Sequence, residues 1–200
     1  LHVHMNYGGN YRATPDTLLA QMEAEDLDVV HNLIVNKEER ITDIASFGDD
    51  RTSATGRQLF NAQEFHTSFW GHLGVLHLSD HLLLPDYTAY RHTALTSPWP
   101  HNGAVADLAH AQGGLVGYAH PFDTPVNINQ PLTYELPADV ANGKLDYLEV
   151  MGFSDHRITA GIWHRLLNLG FHVPAGAGTD AMTNYASLRG PIGLVRVFLD

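Results

Sequence analysis

The 200-residue chain contains no cysteine, which excludes disulfide frameworks, cysteine-ligated zinc sites and thiol catalysis. Basic residues are scarce as well, because 11 Lys and Arg stand against 22 Asp and Glu, giving a formal net charge of −11. This charge argues against a nucleic acid or an anionic membrane as partner, since either favours a basic face. Apolar runs are too short to cross a membrane. We expect a small-molecule substrate, which could be anionic, and neither a nucleic-acid nor a membrane partner.

Histidine, by contrast, is abundant, with 14 residues. Because histidine is the commonest metal ligand in proteins, this composition favours a metal site. The 44% share of hydrophobic residues is enough for one packed domain. The chain starts at Leu1 inside an apparent strand, so we expect a single domain over residues 1–200 that is an excerpt of a longer protein. Oligomeric state and compartment, whether cytoplasmic, periplasmic or secreted, stay open.

Strand-like apolar runs alternate with helix signals along the chain. Helices are predicted to begin at Thr14-Pro15-Asp16, at Asn102 and at Ile158. Strands are predicted at 1–4, 27–35, 58–64, 74–78, 114–119, 145–150, 171–177 and 194–199, with a short helix at 41–47 and long loops at 80–101 and 124–137. This alternation favours parallel β/α units, and 200 residues are fewer than the roughly 250 of a full eightfold barrel. We therefore expect a smaller or distorted α/β barrel.

Six side chains that can bind metal lie at the predicted carboxyl ends of strands: His2, His4, Glu64, His72, His120 and Asp180. Parallel β/α folds assemble their sites at this face, so these residues should meet although the chain separates them widely. His2 and His4 share one strand face because side chains alternate with a period of two. Imidazole and carboxylate ligands suit Zn²⁺, Mn²⁺ or Fe²⁺, and a bridging carboxylate would allow two ions.

Four segments carry a resemblance to a known family: LHVHMNYGG, QEFHTSFWGH, GYAHPFD and PAGAGTDA. Together they resemble the polymerase-and-histidinol-phosphatase (PHP) superfamily, and most of all its CehA/McbA-type metallohydrolase branch. The resemblance implies a distorted (β/α)₇ barrel with a metal cluster at the carboxyl ends of the strands. It implies that His2, His4 and Asp180 hold one metal, that Glu64 bridges, and that His72 and His120 complete the second site.

Many members of this superfamily hold a third metal, and the residues for it look absent here. Asn10, the pair at 34–35 and Met182 stand near the places where its ligands would be. Their joint replacement, with the other six residues present, indicates a two-metal site.

An amidohydrolase-type barrel is the rival fold, since it also opens with His-x-His and ends with an aspartate. Its two-metal form often uses a carboxylated lysine as the bridge. Lys144 precedes its strand and Lys37 comes too early in the chain, so Glu64 is better placed to bridge.

Two of the predicted ligands have alternatives. A shift of register would exchange His66 for His72 as a ligand, and Asp180 could instead cap a helix that starts at Ala181.

Other polar residues are candidates for assisting roles. His66, His156 and Arg189 are predicted to act in catalysis, with Arg189 able to bind an anionic group through two parallel hydrogen bonds. Glu149 could orient a ligand histidine. Weaker candidates for anion steering are Lys37 and Arg40.

The favoured function is a metal-dependent hydrolase in which metal-bound hydroxide attacks a phosphoester, ester or carbamate. The alternative is a non-catalytic metal- or ligand-binding module of PHP-like fold within a larger protein. A third hypothesis, a barrel that serves as a scaffold in a secreted chain, rests on aromatic loop residues such as Trp70 and Trp99.

Overall fold

The structure, a computed structural model, describes residues 2–8, 11–35, 43–83, 94, 96–122, 135–153, 155–186 and 188–199. The strands in this part of the chain are β1 (His2–His4), β2 (Val29–Val35), β3 (Arg51–Thr52), β4 (Gln58–His66), β5 (His72–Leu76), β6 (Leu115–Ala119), β7 (Tyr147–Met151) and β8 (Ala175–Met182). The helices are α1 (Pro15–Ala24), α2 (Asn102–His110), α3 (Leu136–Ala141) and α4 (His156–Asn168). The Thr14 hydroxyl accepts from the amide of Thr17 at 3.2 Å, which confirms the predicted start of α1.

Seven of these strands form a closed barrel. The order around it is β2-β1-β8-β7-β6-β5-β4, and β4 pairs with β2 to close the ring. The short strand β3 pairs only with β4 and lies outside the ring. The predicted α/β barrel of seven strands is therefore confirmed.

The expectation of parallel strands throughout is wrong at β5, which runs antiparallel to both β4 and β6. Only residues 67–71 connect β4 to β5, and a parallel crossover needs a dozen residues or more. His66 therefore pairs directly with His72. The sequence suggested that His72 follows a strand, but in the structure it begins β5. It still reaches the expected rim of the barrel because β5 runs in the reverse direction.

Other predicted elements differ at the edges of the fold. Residues 194–199 form no strand, and Phe198 and Leu199 are exposed. Helix α3 begins within the predicted loop 124–137, most of which lies outside the described residues, as do residues 84–93 of the other loop. The predicted helix at 41–47 is a single 3₁₀ turn at 43–46 in the described part of that segment. No helix among the described residues is long and apolar enough to cross a membrane.

Tyr147 occupies the barrel interior one layer away from the rim. Its hydroxyl donates to the carbonyl of Gly74 at 3.1 Å. A Cβ on Gly74 or Gly117 would overlap the phenol, so small residues on the neighbouring strands make room for this ring. Glu149 stands two residues further along β7 and thus projects from the same strand face at the rim.

Gly117→Ala should destabilise the protein by about 3 kcal/mol, near the upper end of the cost of overpacking a core. Gly161→Ala is the matched control, since a Cβ there meets nothing within 4 Å and lies on helix α4, where alanine is favoured by about 0.5–1 kcal/mol. Urea unfolding of both variants measures the difference. Equal stability of the two variants would contradict the assigned packing of Tyr147.

Candidate metal centre

Strand β1 presents two fully buried imidazoles to the rim. His4 Nδ1 lies 2.7 Å from the carbonyl oxygen of Leu33 and must carry a proton to make this hydrogen bond. Its other nitrogen, Nε2, lies 2.8 Å from Asp180 Oδ1 and 3.0 Å from Glu64 Oε2. His2 Nε2 lies 3.1 Å from His4 Nε2, so the two rings converge on one point.

Glu64 stands at the centre of the cluster, near the carboxyl end of β4. Its Oε1 lies 3.0 Å from His72 Nδ1 and 3.1 Å from His120 Nε2. Its Oε2 faces the other side, 3.0 Å from His4 Nε2 and 3.1 Å from His66 Nε2. Each oxygen of this one carboxylate therefore meets a different pair of imidazoles.

Asp180 and His120 hold their positions in backbone conformations that are rare for residues other than glycine. Their φ angles are +51° and +31°, in or near the left-handed region that side chains disfavour. The pairing of β1 with β8 skips two residues at this point, so Asp180 lies in a bulge that turns it toward the cluster. Since β8 continues through Met182, the alternative role of Asp180 as a helix cap is wrong.

Glu149 links two members of the cluster from behind. Its Oε1 lies 2.8 Å from His2 Nδ1, and its Oε2 accepts from the backbone amide of His120 at 2.9 Å. Gly178 leaves the space that this carboxylate occupies, because a Cβ there would overlap Glu149 Oε1 and the Cβ of His2. Glu149 thus fixes the ring of His2 so that Nε2 points into the cluster.

Burial and charge oppose each other at the histidines. Burial lowers the pKa of His2, but Glu149 and Glu64 raise it more, and the resulting pKa is well above the ordinary 6.5. Burial likewise lowers the pKa of His4, and hydrogen bonds to Asp180 and Glu64 outweigh this effect, so that pKa is also raised.

The carboxylates shift in the opposite direction. Burial raises the pKa of Glu64, but the charge of His66 and the hydrogen bond with His120 bring it well below the ordinary 4.5. Burial raises the pKa of Asp180 too, but the hydrogen bond with His4 and the charges of His2 and His4 together bring it below the ordinary 3.8. Both carboxylates are therefore ionised at neutral pH and need positive charge beside them.

The donor set fits divalent metal ions. Because His4 Nδ1 donates a hydrogen bond to a carbonyl, Nε2 of neutral His4 turns its lone pair toward two carboxylate oxygens within 3.0 Å. Groups packed this closely need positive charge between them, which the protonated imidazole supplies in the metal-free protein and a divalent ion can supply in its place. The ligand atoms of His2, His4, Glu64 and Asp180 all lie within 4.8 Å of one another, and so do those of Glu64, His66 and His72. The cluster is thus suited to divalent metal binding.

The structure brings all six predicted metal ligands together, and it adds His66 to them. The rings of His66 and His72 stack with their centroids 3.6 Å apart, so the choice between these two is not exclusive. His156 starts helix α4 at the surface, and no contact among the described residues joins it to the cluster. Asn10, Lys37 and Arg40 lie outside the described residues.

Arg189, predicted to act in catalysis by binding an anionic group, contacts a cluster carboxylate, and its catalytic role stays a prediction. Its Nη1 lies 2.6 Å from Asp180 Oδ2. The side chain of Met182, at the place of a third-metal ligand, lies 3.8 Å from the same nitrogen. Lys144, the amidohydrolase-type alternative, pairs with Asp107 instead.

Two groups that contact the cluster histidines were not predicted from the sequence. The Leu33 carbonyl is backbone and leaves no trace in residue identity. Phe153 follows β7 by two residues, and its ring lies 4.9 Å from the ring of His120. An aromatic residue just past a strand end was the only available signal for it.

The stability of the metal-free protein should be greatest between about pH 4.5 and 6.5 and should fall as the pH rises further. The raised pKa values of His2 and His4 contribute stability below the ordinary 6.5, which is lost as pH rises through the folded-state values. The lowered pKa of Glu64 contributes stability above the ordinary 4.5, which is lost as pH falls through its folded-state value.

Melting temperatures measured from pH 4 to 9 in a chelating buffer test this. Added Mn²⁺ should restore stability on the alkaline side, because metal binds the neutral imidazoles. A melting temperature that stays constant from pH 6.5 to 9 without metal would argue against these shifts.

No family profile and no curated protein matches the chain. Solved structures do share its fold. One is a proposed metal-dependent phosphoesterase from Bifidobacterium adolescentis, 14% identical, covering 97% of this chain and 91% of that chain with a TM-score of 0.64. Another is a two-domain protein from Bacteroides vulgatus containing a predicted PHP-like metal-dependent phosphoesterase, 15% identical, covering 91% of this chain and 51% of that chain with a TM-score of 0.54.

A third similar structure corrects the prediction that nucleic acid is excluded as a partner. It is the lesion-specific endonuclease EndoQ from Pyrococcus furiosus, 15% identical, covering 92% of this chain and 48% of that chain with a TM-score of 0.54. The exclusion from net charge is wrong because −11 averages over the whole surface and counts cluster carboxylates that bound cations would offset. The chain has the seven-stranded barrel fold found in a predicted PHP-like metal-dependent phosphoesterase and in a lesion-specific endonuclease.

Proposed function

We propose that the chain is a metal-dependent hydrolase of phosphoesters and a member of the PHP superfamily. The observation that carries the proposal is the position of Glu64, whose two oxygens face separate sets of imidazoles at 3.0–3.1 Å. A carboxylate placed in this way can be shared by two ions. Assignment to the CehA/McbA-type branch stays a prediction.

The residues divide into two ligand sets. His2, His4 and Asp180 would hold one divalent ion together with Glu64 Oε2. His72 and His120 would hold the other with Glu64 Oε1, and His66 is an additional donor close to Glu64. Zn²⁺, Mn²⁺ and Fe²⁺ all suit these ligands. When bound, such ions act as Lewis acids and lower the pKa of water.

The protein's own groups hold this arrangement rigid. The Leu33 carbonyl and the Glu149 carboxylate each accept a hydrogen bond from the outer nitrogen of a β1 imidazole, and so fix which nitrogen points inward. Burial of the cluster keeps bulk water from competing for these groups. Acid–base roles for His66 and His156 stay predictions.

An anionic substrate is favoured over a neutral ester or carbamate. Arg189 is 27% exposed at the edge of the cluster and brings a guanidinium group that matches phosphate oxygens. Names of proteins with this fold, a phosphoesterase and an endonuclease, agree with this chemistry.

Matched p-nitrophenyl phosphate, phosphodiester, acetate and carbamate substrates, together with DNA carrying an abasic site, test the proposal. We expect turnover of a phosphate ester that EDTA abolishes and Mn²⁺ or Zn²⁺ restores. His120→Ala should remove that turnover. Turnover confined to the acetate or carbamate, or unaffected by EDTA, would contradict the proposed phosphoester chemistry.

A further inference from the structure

Arg189 neutralises a carboxylate that the proposed metal site also requires. Its Nη1 lies 2.6 Å from Asp180 Oδ2 and donates to the backbone carbonyl of Asp180 at 3.0 Å. The Asp180 side chain is 4% exposed and the Arg189 side chain 27%. The arginine therefore approaches from the solvent side, whereas the imidazoles approach from within the barrel.

The two oxygens of Asp180 have different surroundings. Oδ1 lies 2.8 Å from His4 Nε2, on the side of the first ligand set. Oδ2 lies between Arg189 and His120, whose Nε2 is 3.6 Å away. A cation held by His120 and the guanidinium of Arg189 would thus draw on the same oxygen and repel each other.

Arg189 also contacts an aromatic ring beside the cluster. Its guanidinium carbon lies 4.2 Å from the centroid of the Phe153 ring, a contact typical of a cation–π interaction. Phe153 is 40% exposed and packs beside the ring of His120. A guanidinium that leaves Asp180 can therefore stay over this ring at the mouth of the cluster, where its planar N–H groups suit a phosphate group.

We infer that Arg189 is an internal cation that competes with the metal for Asp180 and moves to the substrate anion when the metal binds. The inference rests on the proposed function and adds to it that metal and anionic substrate strengthen each other's binding. An anion that draws Arg189 away from Asp180 leaves Oδ2 free to face a cation held by His120, and the reciprocal effect follows from linkage. Arg189 is thus a specificity residue for anions as well as a regulator of metal affinity.

Calorimetric titration of Mn²⁺, with and without inorganic phosphate, tests the inference on the wild-type chain and on Arg189→Gln. Without phosphate, Arg189→Gln should bind Mn²⁺ about tenfold more tightly than wild type, since it loses one charge-assisted competitor. Phosphate should tighten Mn²⁺ binding in wild type by about tenfold and in Arg189→Gln by clearly less. Part of the effect persists in the variant because phosphate also ligates Mn²⁺ directly.

Arg157→Gln is the matched control, because it removes the same charge from an exposed position whose side chain makes no hydrogen bond or ion pair with the described residues. It should bind Mn²⁺ as wild type does. Arg189→Lys keeps the charge and should fall between wild type and Arg189→Gln, and melting curves establish that each variant is folded. Unchanged or weaker Mn²⁺ binding by folded Arg189→Gln would overturn the inference about Arg189 but not the proposed function. Failure of the wild-type chain to bind Mn²⁺ would overturn the proposed function and the inference together.

Discussion

Replacement of Glu64 by glutamine should reduce metal-dependent hydrolysis by about 10³-fold, the effect of losing several kcal/mol of charge stabilisation. Glutamine keeps the shape but offers one carbonyl oxygen where the carboxylate offers two. One of the two imidazole sets at Oε1 and Oε2 would face an amide group instead. We therefore expect loss of at least one bound metal along with the activity.

Glu25→Gln is the control for this change, since Glu25 pairs with Arg196 at a half-exposed position away from the cluster. That variant should retain full activity and metal content. Metal analysis and steady-state kinetics on both proteins give the comparison. If Glu64→Gln keeps two metals and near-normal turnover, Glu64 is not the shared ligand.

Glu149→Gln should weaken metal binding by about 10- to 100-fold, the usual effect of removing a group that orients a metal-binding histidine. Two donors, His2 Nδ1 and the amide of His120, each use one oxygen of this carboxylate. Glutamine can accept only one of them and turns its own N–H groups toward the other. The expected loss is in metal affinity, with the fold intact.

Gly178→Ala tests the placement of Glu149 beside His2 without changing either residue. The added methyl group would overlap Glu149 and His2 and push them apart, so metal binding should fall although no ligand is altered. Competition with a chromogenic chelator measures both affinities. Wild-type metal affinity in both variants would show that Glu149 does not position His2.

The barrel could be predicted from sequence because strand and helix signals alternate clearly and the metal-binding residues fall next to predicted strand ends. The reversal of β5 was missed, although the connection between β4 and β5 at residues 67–71 is too short for a parallel crossover. At residues 194–199 a strand was predicted where the structure has none. The apolar character of this run is typical of a strand, but in the described structure it finds no strand partner.

Within the cluster, residue type predicted which side chains take part, but it did not predict which of them contact each other. His66 and His72 are directly paired across two antiparallel strands, so both reach Glu64, whereas the sequence suggested a choice between them. Arg189 was predicted to bind an anionic group, but its ion pair with Asp180 was not predicted, because it depends on how the segment after β8 folds back. Such a return of the chain leaves no periodic pattern to detect.

The number of divalent ions bound per chain tests the central claim most directly. Metal-free protein titrated with Mn²⁺ or Zn²⁺, with bound metal measured by elemental analysis after dialysis, should take up two ions per chain. The same titration of Glu64→Gln should give fewer. Folded wild-type protein that binds no divalent metal would contradict the account.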